Sequence, residues 1–357
     1  MFYVTNVDLQ RENKGDTEDI MRKQILFTEI GKAELQETDP PAVKENDVAV
    51  KTEYTVISGG TERACLLGMN NTSQKFPMSL GYCGVGRVVQ TGSLVKSVKV
   101  NDRVLVYHGV HSDYNVSPEH EITKVADDNI SSIDAAPVIL ASMGLGGVRK
   151  LEIELGESAM VMGLGLLGLF AVQFLRLSGA CPVIAADPNP ERCRLALELG
   201  ADYAFDPTRE DFAENVKRVT KGKGVNGCVE VTGVSSAMNT ALDCAAFMGR
   251  IALLGCTRNS DCSVDYYRQV HRPGIKLIGA HNFVRPQFES YPHHWTHHDD
   301  CRAILDMIAA GRVRVRPLIS RIVSPTEVPK IYNELCHDKN FPRRNDIRLE
   351  HGRMTIF

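Results

Sequence analysis

One ordered run constrains this chain more than any other feature: a strand, a glycine turn, a helix, a second strand and an acid. Residues 159–162, Ala-Met-Val-Met, form an apolar run of strand length, and Gly163-Leu164-Gly165-Leu166-Leu167-Gly168 follows at once. An apolar helical pattern over Gly165–Ser178 leads to a second strand, Val183–Ala186, which ends on Asp187, 19 residues past Gly168. Each glycine has a mechanical part in such a unit. Gly163 permits the tight turn, Gly165 lets backbone approach a pyrophosphate, and Gly168 lets helix and strand pack closely. The helix N-terminus then offers N–H groups and the positive end of its dipole to the phosphates. A carboxylate at position 187 accepts hydrogen bonds from the adenosine ribose hydroxyls and repels a 2′-phosphate, so the expected cofactor is NAD rather than NADP. Gly163, Leu164, Gly165, Leu166, Leu167, Gly168 and Asp187 are therefore cofactor-binding candidates. Arg192 lies close enough in sequence to reach the same ribose, or else is a solvated helix residue.

The remaining composition sets broad bounds. A chain of 357 residues exceeds one average domain, so two domains are expected. Hydrophobic residues at 43%, charged residues at 24% and a net charge of −3 describe a globular protein with no electrostatic reason to bind nucleic acid or an anionic membrane. No apolar run reaches the roughly 18 residues of a bilayer span. Residues 1–20 are polar and charged, without the pattern of a secretory signal, and are expected to lie outside the fold as an extension. The 10 cysteines include no Cys-x-x-Cys pair and fall largely in apolar patterns, as expected of reduced thiols in a cytoplasm.

From Met21 the sequence breaks into short alternating or β-branched runs, such as Gln24–Glu29, Val48–Val56, Gly86–Gln90 and Arg103–Tyr107, with Asp39-Pro40-Pro41 and Asn101-Asp102 as turns. This part is expected to be a β-rich, partly open barrel. Between about 130 and 150 the pattern turns helical. Strand candidates at 159–162, 182–186, 203–205, 227–231, 250–254 and 276–280 then alternate with helices such as Pro190–Leu199 and Ala237–Ala246. Strands joined by helical crossovers imply a parallel, doubly wound sheet. After residue 285 come an aromatic and histidine-rich loop and an amphipathic helix, Asp299–Ala310.

Further motifs carry a family resemblance. They are Ser58-Gly-Gly-Thr-Glu62, Gly81-Tyr-Cys-Gly-Val-Gly86, Asn101-Asp-Arg-Val104, Glu230-Val-Thr-Gly233, Gly249-Arg-Ile-Ala-Leu-Leu-Gly255 and Gly311-Arg-Val with Pro317-Leu-Ile319. With the glycine turn, this order resembles the medium-chain dehydrogenase/reductase superfamily over about residues 21–340. The resemblance implies an α/β chain with a GroES-like, partly open β-barrel catalytic domain at 21–140 and 285–357. A doubly wound Rossmann domain is implied at 141–284, and assembly into a homodimer or homotetramer is expected. It also places Ser142, Thr232, Gly233 and His281 near the nicotinamide.

The departures from the family bear on mechanism. Zinc-dependent members carry a catalytic Cys, a Gly-His-Glu and a later Cys or acid. The matching positions here hold Gly59 or Ser58, then Tyr82 in Gly81-Tyr82-Cys83, then Val138. Catalytic zinc needs three protein ligands of the Cys, His or carboxylate kind, so no metal is expected at this place. Without a Lewis acid, the substrate oxygen still needs a proton partner or a donor array. Tyr82 and Thr61 occupy the matching positions, and Glu62 would orient Thr61 or Arg63. As an acid, Tyr82 needs its pKa lowered by neighbours or by the nicotinamide charge; the other reading makes it a filler of the empty metal cavity. His108 and His111 read as turn or surface histidines. In Pro292-His-His-Trp-Thr-His-His-Asp-Asp300, the pairs His293/His297 and His294/His298 would share a helix face and hold a metal, or the segment lines the substrate entrance with Trp295 as a wall.

The expected activity is zinc-independent, NAD(H)-linked hydride transfer to or from a hydroxyl or carbonyl of a small polyol or sugar-like molecule. Two alternatives remain open. One is an enoyl or quinone reductase acting on an activated C=C; the other is a catalytically silent NAD(H)-binding sensor.

Overall fold

The computed structural model describes residues 2–5, 21–292 and 294–337. The chain divides into two compact units: one runs to Ile139 and resumes at Val315, and the other is Leu140–Arg314.

The first unit contains strands β1 (Phe2–Thr5), β2 (Arg22–Glu29), β3 (Lys32–Thr38) and β4 (Asp47–Ile57), then helix α1 (Gly59–Leu66). Strands β5 (Cys83–Thr91), β6 (Arg103–Tyr107), β7 (Tyr114–Pro118) and β8 (Ile122–Lys124) follow, with a short helix α2 (Ser132–Ala135). Helix α3 (Val138–Arg149) then leads into the second unit. That unit alternates β9 (Ala159–Met162), α4 (Leu166–Leu177), β10 (Val183–Ala186), α5 (Pro190–Glu198), β11 (Tyr203–Phe205) and α6 (Phe212–Val219). It continues with β12 (Val225–Glu230), α7 (Ser235–Cys244), β13 (Ala245–Leu253), β14 (Lys276–Gly279) and α8 (His297–Ala309). The chain returns to the first unit as β15 (Arg321–Val323) and α9 (Val328–His337).

In the first unit, seven strands form a largely antiparallel sheet in the order β15-β1-β4-β5-β6-β8, with β7 on β4 and only β1 parallel to β15. Its β-branched residues pack on both faces of β4. Val48, Val50, Val88, Val104, Val106 and Ile122 make one core. The second gathers Ile25, Phe27, Ile57, Leu66, Ile331, Tyr332 and Leu335 beneath the β2–β3 hairpin, α1 and α9. Phe27 meets Tyr332 edge to face at 4.8 Å, which fixes α9 in register under α1.

The expectation for residues 1–20 needs correction. Phe2–Thr5 is a strand held between β4 and β15, with Phe2 opposite both Ile57 and Arg321. Phe-Tyr-Val-Thr is an aromatic and β-branched run suited to a sheet, and the polar stretch after it obscures the signal. The rest of that extension and the tail Asn345–Phe357 lie outside the described residues.

The second unit carries a six-stranded parallel sheet in the order β11-β10-β9-β12-β13-β14. This is the doubly wound arrangement expected, and the order reverses beside β9, where the glycine turn begins. Strands β9 and β10 are buried at every position, which is why they read as unbroken apolar runs. The unit runs to Arg314 rather than to residue 284. Helix α8 explains the difference: Cys301, Ile304 and Leu305 are buried, and Asp300 binds Arg149 at 2.7 Å and Arg285 at 3.3 Å. These ties keep residues 285–314 with the dinucleotide sheet. Among the described residues, no helix is long and apolar enough to cross a membrane.

Candidate functional site

The glycine turn has the shape its sequence implies. Gly163 sits at φ +96°, open to glycine but strained for other residues. A β-carbon on Gly168 would lie 1.9 Å from the Gly163 carbonyl oxygen, so helix and strand are in closest approach there. A β-carbon on Gly165 would meet nothing within 4 Å. The space over Gly165 is open, and α4 starts at Leu166 with no side chain capping its first N–H groups. Unsatisfied N–H groups facing open space suit a phosphate.

Asp187 is tied to the turn it follows. It is 5% exposed, its Oδ2 accepts the Leu164 N–H at 2.8 Å, and its Oδ1 accepts the Asn189 N–H at 2.8 Å. The carboxylate thereby braces the turn, and Arg192 stands 3.6 Å from it. The Thr232 hydroxyl donates to Glu230, and the Thr232 N–H reaches the same carboxylate oxygen at 2.7 Å. Burial pushes the Glu230 carboxyl above its ordinary range. Gly233 takes φ +64°, and a β-carbon there would lie 2.5 Å from the Cys256 carbonyl oxygen. His281 is exposed just past β14, with Nδ1 accepting the Phe283 N–H at 3.3 Å. Ser142 differs from expectation. It is fully buried, its hydroxyl lies 3.1 Å from His297 Nδ1, and its carbonyl accepts from Arg285, so it is committed to the return segment.

The first unit gathers hydroxyls where β4 hands over to α1. Tyr82 donates to the Ser58 hydroxyl at 2.7 Å, and the Thr61 hydroxyl is also hydrogen-bonded to Tyr82. The phenol pKa is raised, not lowered: burial acts first, and the Glu62 charge adds to it. Tyr82 is thus a persistently protonated donor rather than an easily ionised acid. Glu62 also departs from expectation, since it orients neither Thr61 nor Arg63. It is wholly buried and accepts the Ser58 N–H at 3.0 Å and the Tyr332 hydroxyl at 2.5 Å, with His111 Nε2 3.1 Å away. Arg63 instead binds the carbonyls of Leu335 and Cys336. Glu62 is a positioning residue for the start of α1.

His111 belongs to this buried network, not to a turn or the surface as its sequence position suggested. It is 3% exposed, with Nδ1 2.6 Å from the Thr55 hydroxyl. Its backbone fills the place of a β-carbon on Gly81, which would lie 2.3 Å from the His111 nitrogen. His108 is exposed and paired with Glu121 at 2.9 Å, as expected. Gly59, Tyr82 and Val138 offer no thiol, imidazole or carboxylate. Among the described residues, no three histidines, cysteines or acids converge on a metal position. The histidine-rich segment forms no shared helix face, because α8 begins only at His297; His294 sits in a bridge with Tyr291, and His293 lies outside the described residues. Trp295 carries the Arg149 guanidinium 3.9 Å above its ring.

A parallel sheet with an uncapped glycine turn, in one chain with an antiparallel unit bearing buried hydroxyls, defines an oxidoreductase of the dehydrogenase kind. Comparison with known proteins agrees. A family model described as zinc-binding dehydrogenase matches residues 167–296. L-threonine 3-dehydrogenase of Pyrococcus horikoshii is 30% identical over 258 residues, covering 62% of this chain and 72% of the relative. D-guloside 3-dehydrogenase of Escherichia coli is 24% identical over 334 residues, covering 87% and 95%. A Sinorhizobium meliloti protein of the zinc-binding dehydrogenase type, solved bound to NADP, superposes with a TM-score of 0.75 at 23% identity, covering 88% of this chain and 95% of its own. The chain belongs to the medium-chain dehydrogenase/reductase superfamily.

Proposed function

We propose that this chain is a zinc-independent, NAD(H)-linked oxidoreductase that interconverts a hydroxyl and a carbonyl on a small polyol or sugar-like substrate. The observation that carries the reading is the open space over Gly165 beside the braced carboxylate of Asp187. Gly163–Gly168 and the uncapped start of α4 hold the pyrophosphate, Asp187 the adenosine ribose, and Thr232, Gly233 and His281 the strand ends toward the nicotinamide. Once bound, the nicotinamide accepts or supplies the hydride.

The hydroxyls of Tyr82, Ser58 and Thr61 serve the substrate oxygen. Because burial keeps the phenol protonated, they act as a donor array that favours the oxygen as its charge develops. Glu62 fixes that array through Ser58 and α1. Glycine, tyrosine and valine at the three metal-ligand positions support zinc independence. The guloside and L-threonine that name two relatives are small polar molecules, which supports the substrate class. Two observations favour a second reading, NADP: Arg192 stands beside Asp187, and a structural relative was solved bound to NADP.

The test is a screen of polyols, sugar acids and enones with NAD(H) and NADP(H), read as a change in nicotinamide absorbance, on protein purified without added metal. Polyol or sugar oxidation with NAD supports the reading. Turnover of enones alone assigns a C=C reductase, and NADH binding without turnover in any class assigns a sensor. Near-stoichiometric zinc in the active protein refutes the metal-free chemistry. We also propose a homodimer or homotetramer, since Phe283, Phe288 and Tyr291 expose 70%, 91% and 56% of their surface on one segment. Light scattering at the monomer mass overturns that.

A further inference from the structure

We infer that the second unit carries a phosphate-recognising site, distinct from the dinucleotide turn, suited to a small phosphomonoester. A cavity of about 210 Å³ lies between α3 and the β13–β14 edge of the sheet. Arg149, Lys150, Arg250, Lys276, Arg285 and Trp295 are among its lining residues. The proposal does not rest on the dehydrogenase reading.

The charges in this cavity do not cancel. Arg149 and Arg285 share the single buried carboxylate of Asp300. Arg250 is matched by Glu157. Lys150 and Lys276 have no ion-pair partner among the described residues; Lys276 and the other lining acid, Glu152, are both exposed to solvent. Five cations therefore face three carboxylates, an excess of two positive charges. Arg250 and Lys276 also stand directly opposite one another on adjacent strands, on one face of the sheet. Like charges in that relation destabilise a sheet unless something compensates. The Lys150 ammonium shows the same imbalance, since burial and the field of Arg285 both lower its pKa.

Donors are left over as well as charge. The Arg250 Nε is shielded from solvent and has no hydrogen-bond partner among the described residues. Arg149 spends its Nε on Asp300, and its plane is held on Trp295, so its terminal nitrogens are oriented and, among the described residues, uncommitted. A planar guanidinium fork with two point charges beside it matches the geometry and charge of a phosphomonoester, which carries about −1.5 to −2 at neutral pH. The place differs from the cofactor turn. Through the sheet register, Arg250 and Lys276 lie level with Ala159, the first residue of β9. The turn follows its last residue, about 10 Å further along the strand direction. His281 borders the far end of the cavity, toward the strand ends.

The experiment uses the full chain, with inorganic phosphate titrated at constant ionic strength in saturating NADH and unfolding followed thermally. We expect a saturable stabilisation by phosphate that chloride does not reproduce. In Lys150→Gln/Lys276→Gln the half-saturating concentration should rise at least tenfold. That variant should melt no lower than wild type without phosphate, because it removes repulsion, so misfolding is readily told apart. A hexose phosphate binding more tightly than phosphate, with the plain hexose inert, marks a metabolite site; equal affinity marks free phosphate as the ligand. The inference fails if phosphate acts no differently from chloride or if the double variant responds like wild type. It also fails if saturating NADH abolishes the effect, which would assign the phosphate to the dinucleotide groove.

Discussion

Replacing Glu62 with alanine should strongly destabilise the first unit, whose donor hydroxyls it also positions. Three donors converge on this carboxylate from three parts of the chain: the Ser58 N–H at 3.0 Å, the Tyr332 hydroxyl at 2.5 Å and His111 Nε2 at 3.1 Å. All of it is buried, so no water replaces the lost acceptor. Removing one partner of a buried polar pair costs about 3–5 kcal/mol, most of it the penalty of the groups left behind. In a domain of this size each kcal/mol lowers Tm by roughly 2–4 °C, so Glu62→Ala should melt roughly 6–20 °C below wild type by calorimetry. Glu62→Gln keeps the shape and one acceptor and should lose about half as much. The pair Glu62→Ala and His111→Ala should be strongly non-additive, because each strands the other, with a coupling of about 1–3 kcal/mol. Additive losses, or an alanine variant melting within a degree of wild type, would refute the network.

Other outcomes follow from the same geometry. Tyr82→Phe should lower kcat about 100-fold or more by removing a donor from the substrate oxygen, with Tm little changed, as steady-state kinetics will show. The Tyr82 phenol pKa is raised above 10.0 by burial, so its contribution to stability is complete below that pH and lost as pH rises through the higher folded value. No Tyr82 titration should therefore appear in kcat/KM between pH 6 and 9, and an alkaline limb there that vanishes in Tyr82→Phe would contradict the donor role. Gly165→Ala meets no atom within 4 Å and should fold normally while weakening NADH binding at least tenfold by titration. Gly168→Ala forces a contact at 1.9 Å and should instead lower Tm. Asp187→Ala should weaken NADH by about 10- to 100-fold, the worth of a charged hydrogen bond, and narrow any preference over NADPH, which fluorescence titration measures.

Much of the second unit was legible because its signals are local. Parallel strands buried on both faces must be apolar throughout, as Ala159–Met162 and Val183–Ala186 are, and glycines fall where the turn admits nothing else. A helix was expected between the strands at 203–205 and 227–231, and Phe212, Val216 and Val219 place α6 there at helical spacing, while short polar turns obscure its ends. Phe2–Thr5 was missed because its partners, β4 and β15, lie about 50 and 320 residues further on.

The candidate active site divides along the same line. The sequence by itself determined the dinucleotide turn, the acid at its second strand and the absence of ligand side chains at Gly59, Tyr82 and Val138, since these depend on residue identity at fixed short spacings. Only the tertiary structure decided what Glu62 does. His111 lies 49 residues from it and Tyr332 lies 270 away, and no periodic pattern joins them. Burial made the protonated phenol of Tyr82 a matter of packing, and the sheet brought the uncancelled charges beside β14 together, because solvation and charge proximity belong to the folded surroundings and not to the residue alone.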